Sequence, residues 1–148
     1  MIPNELYQQI LEHMPIFCID IVLYHQGKVL LTYRTQEPAI NQWWIQGGRV
    51  FKNETFSQAV QRLAKREIGI EVEIITQIGT YEVFFEQGIF ETKSGIHDVA
   101  VCFLVKPKDS TEIELDQTHT KWKWIGRIES DLDPYVKKVL EDAKIILS

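Results

Sequence analysis

Gly47-Gly-Arg-Val-Phe-Lys-Asn-Glu-Thr-Phe-Ser-Gln-Ala-Val-Gln-Arg-Leu-Ala-Lys-Arg-Glu-Ile-Gly-Ile70 is the stretch that decides how the rest of this 148-residue chain is read. Two adjacent glycines lead, through a short polar stretch, into the most helical segment of the sequence, Thr55 to about Ile68. Gly69 follows at the position where a left-handed residue closes a helix. Phe56, Ala59, Val60, Leu63 and Ala64 recur at spacings of three and four and so share one face. Glu67 falls on that face too, four residues after Leu63, where an apolar residue is expected. It also lies in the last turn, where the helix macrodipole disfavours an acid by roughly 0.3–1 kcal/mol. A residue that breaks two local rules marks a functional position; the structural alternative is a simple ion pair with Arg62 or Arg66. The glycine pair argues for function. Adjacent glycines let backbone approach a ligand closely and leave carbonyls free to face a cation. A hard cation such as Mg²⁺ takes one or two carboxylates and completes its shell with waters and substrate phosphates.

Outward from this stretch, the chain reads as alternating short elements without repeats or low-complexity segments. Residues 4–13 form a first helix, with Asn4 as its cap and Leu6, Ile10 and Leu11 on one face; Pro15 ends it. Ile16–Tyr24 and Val29–Tyr33 are β-rich runs around His25-Gln-Gly-Lys28, which makes a hairpin. A loop spans Thr35 to Gln42, and Trp43-Trp44 then lead into the glycines. That pair is read as core, with base or sugar stacking as the alternative. Strands are expected at Glu71–Thr76, Ile78–Glu86, His97–Lys106, Glu112–Leu115 and Trp122–Ile125. Asp133-Pro134 opens a last helix with Val136, Val139, Leu140 and Ala143 as its stripe. Helix, strands, central helix, strands and last helix predict an α/β fold: a central mixed β-sheet with helices on both faces.

The whole-chain quantities agree with a single domain spanning residues 1–148. The composition, 45% hydrophobic and 25% charged, is that of an ordinary globular protein. A net charge of −5 without a basic cluster argues against nucleic acid as partner, while small phosphorylated ligands need only a few local Arg or Lys groups. Cys18 and Cys102 sit singly in apolar runs, as buried free thiols of a reducing cytosol do. No apolar run is long enough for a membrane, and the N-terminus has no export pattern, so a cytoplasmic protein is expected.

The quoted stretch resembles the Nudix box, G-x5-E-x7-R-E-U-x-E-E-x-G-U, where U is aliphatic. Gly48, Glu54, Arg62, Glu67, Gly69 and Ile70 match in register. Two glutamates are missing: Leu63 follows Arg62, and Arg66 stands where the family has a metal-binding Glu. This pattern of loss is similar to that of the GDP-mannose mannosyl hydrolases. Ile19-Asp20, Leu30-Leu31, Arg34-Thr35, Pro38-Ala39, Trp44, Gly47–Val50 and Lys52 also have counterparts there, as does His119 five residues before Trp124.

The resemblance implies a Nudix α/β/α sandwich and a Mg²⁺-dependent hydrolase, with Mn²⁺ as a substitute metal. Its substrate would be a small nucleoside-diphosphate sugar of the GDP-mannose type, and the protein a homodimer. Water would attack the anomeric carbon and release GDP and free sugar, the metal neutralising the leaving diphosphate. The Gly47 carbonyl and Glu67 would hold the metal, Arg34 and Arg49 the diphosphate, and His119 would be the general base. Thr118 stands where that branch has a further metal ligand, Gln, and Gln117 lies one residue back. Either residue, or water, fills that place. Phe84 and Asp98 stand roughly where the branch has a His and a Tyr that assist the leaving group, and Gln46 replaces a Pro. His25 and His97 are read as turn and strand-start residues. Two other readings stay open: a conventional pyrophosphohydrolase attacking phosphorus, helped by Glu86 or Glu91, and a Nudix-fold binding module without catalysis.

Overall fold

A computed structural model describes residues 1–148. Three helices, α1 (Asn4–His13), α2 (Phe56–Ile68) and α3 (Pro134–Asp142), flank seven strands: β1 (Ile16–His25), β2 (Lys28–Arg34), β3 (Trp43–Trp44), β4 (Gln46–Arg49), β5 (Val72–Phe85), β6 (Ile96–Pro107) and β7 (His119–Ile125). The strands join in the order β3-β2-β1-β6-β5, with β4 added against β1 and β7 against β2. β1 and β6 run parallel and the other pairs antiparallel, so the sheet is mixed as predicted.

Alternation along β1 builds two cores. Ile19, Ile21 and Leu23 face α2 and pack with Ala59, Val60, Leu63, Ala64 and Ile68. Ile16, Cys18 and Val22 face the other way, toward Leu11 of α1 and Val136, Val139 and Leu140 of α3. The result is the α/β/α sandwich. Both cysteines are buried and unpaired. Gln26 and Gly27 take positive φ values of 50° and 78°, the twist a two-residue hairpin turn requires.

Several local expectations are corrected. Pro3, not Asn4, caps α1, with no side-chain bond, and Leu6 is exposed because the helix turns Leu11 to the core instead. Phe56 is also exposed, at the mouth of α2, where it stacks on Phe17 at 5.8 Å. Ala143 caps α3 and is only half-buried. The two strands expected between 71 and 86 are one, β5, broken in register between Ile74 and Thr76 and between Gln77 and Gly79. Residues 112–115 form no strand: Ile113 and Leu115 pack against the α2 core from an irregular segment tied to the end of α2, with Glu114 N–H donating to the Ile68 carbonyl at 2.9 Å.

Candidate functional site

α2 is set by its ends. Thr55 accepts from Gln58 N–H and Gln58 returns the bond to Thr55 N–H, a complete capping box. Gly69 closes the helix at φ 74°. This frame carries Glu67 to the tip of β4, where the carboxylate is 3% exposed. Gly47 N–H donates to its Oε1 at 3.0 Å, and the Arg66 guanidinium donates to its Oε2 at 3.1 Å. Of the two pairings the sequence allowed, the structure makes the one with Arg66. Arg62 instead clamps Glu54 through two bonds of 2.6 and 2.9 Å, donates to the Arg49 carbonyl and stacks 3.7 Å above the Phe51 ring. Hydrogen bonds from Arg62 hold the Glu54 carboxyl below its usual range. Burial pushes Glu67 up, against the pull of His119, Arg66 and the Gly47 N–H.

Gly47 is required as glycine. A Cβ there would overlap the Asp20 carboxylate opposite it on β1. Val50 N–H bonds to the Phe17 carbonyl, which puts Gly47, opposite Asp20, in a non-hydrogen-bonded position of the β1–β4 ladder. Its N–H and carbonyl therefore point away from β1, to the side where Glu67 sits. No three His, Cys, Asp or Glu side chains converge as a metal cluster. A carbonyl and a buried carboxylate side by side are nonetheless the oxygen donors a hard cation accepts, with water and phosphate completing the shell. The donor set fits Mg²⁺.

Around Gly47 and Gly48 opens a cleft of about 600 Å³ lined by Arg34, Arg49, Arg66, Glu67, Asp116, Gln117 and Thr118, among others. Arg34 Nε is anchored on the Pro38 carbonyl at 2.7 Å. Arg49 lies over the rings of Tyr7 (5.3 Å) and Phe51 (4.8 Å). The structure thus brings Gly47, Glu67, Arg34 and Arg49 together. Thr118 spends its hydroxyl on Asp116 at 2.7 Å, while Gln117 is exposed on the cleft wall. Glu86 and Glu91 are exposed and do not line the cleft.

His119 is not on the cleft surface. It opens β7 opposite Arg34, its side chain fully enclosed behind the wall made by residues 116–118. Nδ1 lies 2.7 Å from Asp116 Oδ1. Burial would raise the Asp116 carboxyl, but bonds from Thr118 and His119 outweigh it and hold it below its usual range. An ionised carboxylate only accepts, so the bond between them is donated by Nδ1–H. Nε2 is buried and has no partner.

A second, inner cavity of about 170 Å³ adjoins the cleft on the α1/α3 side, bounded by Trp44, Phe85, Tyr135, Asp20 and Asp98. Tyr135 donates to Asp20 Oδ2 at 2.5 Å. Burial pushes Asp20 up to about 7 and Asp98 up to about 6. Asp116 and Tyr135 were missed from sequence. The D-x-x-H spacing of Asp116 and His119 was a usable signal; Tyr135 comes from a helix far along the chain and left none. His97 stacks on Phe84 at 4.4 Å, away from the cleft, and His25 ends β1; both keep their plain reading. Trp44 is core at 6% exposure. No helix is long and apolar enough to cross a membrane.

The chain matches the NUDIX domain family over residues 14–143. The low-salt glycan biosynthesis protein Agl8 of Haloferax volcanii is 36% identical over 140 residues, covering 95% of this chain and 89% of that protein. Among solved structures, a MutT NUDIX hydrolase from Burkholderia pseudomallei superposes with a TM-score of 0.74 at 23% identity, covering 89% of this chain and 100% of that one. The NUDIX domain of Shewanella oneidensis NrtR, solved in complex with ADP ribose, gives 0.64 at 19% identity over 97% of each chain. At these identities the two structures speak to the fold.

Proposed function

The chain belongs to the Nudix family, whose hydrolases act on small nucleotide derivatives, and on that premise we propose that it hydrolyses a nucleoside-diphosphate sugar of the GDP-mannose type in the presence of Mg²⁺. One observation carries this reading: the cleft joins a single buried carboxylate and two anchored arginines to an inner cavity with two carboxyls. Arg34 and Arg49 suit a diphosphate, since planar guanidinium forks match its oxygens. Asp20 and Asp98 suit the hydroxyls of a sugar, as acceptors in a part-apolar pocket. The name of the 36%-identical relative, a glycan biosynthesis protein, supports a sugar-bearing substrate.

The Gly47 carbonyl and Glu67 would hold the metal, with exposed Gln117 a better third ligand than Thr118, whose hydroxyl is already committed. A Mg²⁺ ion held there would supply positive charge to neutralise a departing diphosphate. Asp116 holds the Nδ1 proton of His119, so Nε2 is the atom that takes the proton from water as its oxygen bonds to the anomeric carbon. The anomeric C–O bond breaks, and the electron pair leaves with the nucleoside diphosphate. Because His119 is enclosed, this reading has the 116–119 segment move as substrate docks. Buried free thiols support a cytoplasmic site of action. The reading also carries a homodimer, which sedimentation would check.

The enclosure of His119 favours a second reading, attack of water on phosphorus. Hydrolysis in ¹⁸O water separates the two: label in the sugar supports the proposal, label in a phosphate overturns it. A screen of nucleoside-diphosphate sugars with Mg²⁺ and Mn²⁺ comes first; no turnover of any would leave a binding module.

A further inference from the structure

The three cleft arginines differ in how they are held. Arg34 is pinned to the Pro38 carbonyl, and Arg49 lies over the rings of Tyr7 and Phe51. Arg66 is half-exposed, and its one side-chain hydrogen bond is to Glu67 Oε2. That oxygen is also one a cation beside the Gly47 carbonyl would use. The Gly47 N–H on Oε1 is neutral and compatible with a metal on the same carboxylate, but a guanidinium is not: two positive charges would meet within a few ångströms. A cation arriving at Glu67 must therefore displace Arg66. The freed side chain has length and solvent access, and it already lines the cleft with Arg34 and Arg49.

We propose that Arg66 is an exchangeable counter-ion: it neutralises buried Glu67 while the metal is absent and passes to the substrate's diphosphate when the metal takes its place. The inference rests on the reading of Gly47 and Glu67 as the metal site of a nucleoside-diphosphate hydrolase. It makes metal and nucleoside diphosphate help each other bind beyond any direct bridge between them, because each removes a cost the other would face alone. Such coupling is reciprocal. It also gives Arg66 a role in substrate affinity that a purely structural surface pair would not have.

The test is a binding cycle on the full chain, with Mn²⁺ followed by electron paramagnetic resonance and GDP by calorimetry, for wild type, Arg66→Ala and Arg66→Gln. Arg66 is half-exposed, so both variants fold, which circular dichroism verifies. In the absence of GDP both variants bind Mn²⁺ more tightly, by about threefold, as expected for loss of a partly solvated competing pair. With Mn²⁺ present both bind GDP more weakly, by about tenfold, the usual worth of a charge-assisted contact. If wild type binds both probes and the variants match it, or bind free Mn²⁺ more weakly, the exchange is overturned and the hydrolase reading stands. Wild type that binds neither probe overturns both.

Discussion

A carboxylate sealed from water costs several kcal/mol unless it is met by partners, and Glu67 is met by a backbone N–H and a guanidinium. Replacing it with Gln keeps the shape and removes the charge a cation needs. Glu67→Gln is expected to abolish Mn²⁺ binding and to lower Mg²⁺-dependent turnover by at least about 100-fold with the fold intact, read by paramagnetic resonance and product assay. Asp116 acts one bond further back. Asp116→Asn can no longer demand the proton on His119 Nδ1, so kcat is expected to fall by roughly 10²–10⁴ with KM little changed, in steady-state kinetics. Glu67 was legible in sequence because it violates a helical pattern. Arg66 as its partner was not separable from Arg62 there. Both lie on the same helix within five residues of it, and only the Glu54 clamp, formed across the loop before α2, takes Arg62 away.

Among the elements, α2 was the most legible because its rules are local: a cap, a stripe and a closing glycine within fifteen or so residues. Those features make testable contributions. Thr55→Ala removes one arm of the capping box and is expected to cost about 1 kcal/mol in urea unfolding. Gly69→Ala should cost more than about 1 kcal/mol, since it combines a positive φ with a Cβ pressed on Glu114. Both changes should lower the denaturation midpoint without altering the slope. Where pairing is non-local, the sequence said less. Residues 112–115 alternate like a strand, yet no neighbour offers them an edge, and their backbone bonds go to the end of α2 instead. β5 looked like two strands because Gln77 interrupts its pattern. The long partner β6 carries it through both irregularities.

At the scale of the molecule, the buried acids set a pH dependence. Asp20 titrates near 7 when folded and near 4 when unfolded, so between these values the folded state holds a proton the unfolded state has lost. Its contribution is greatest below about pH 4 and is lost as pH rises through about 7. Glu54 and Asp116, lowered by their partners, act in the opposite sense and lose stability as pH falls. Asp20→Asn isolates the first effect. In metal-free protein, its stability relative to wild type should rise between pH 4 and 7 by up to about 1.4 kcal/mol per pH unit, measured by urea midpoints across that range. The α/β/α architecture followed from the order of elements. The inner cavity did not, because Asp20, Asp98 and Tyr135 come from three elements whose convergence only the closed sheet produces.

β1 has near neighbours on one edge and a distant one on the other: β2 and β4 follow it closely in the chain, whereas its parallel partner pairs Ile16 with Asp98. For a polypeptide emerging from a ribosome this sets a timetable. β1, β2, β4 and α2 are all synthesised before Ile96 appears, and for that interval an apolar strand waits with a bare edge, the exposure that invites mispairing. Closing the parallel ladder across so long a loop is also the slow step that high sequence separation imposes. The cleft draws Gly47 from the early half and residues 116–118 from the late one, so it is assembled only after that wait has ended.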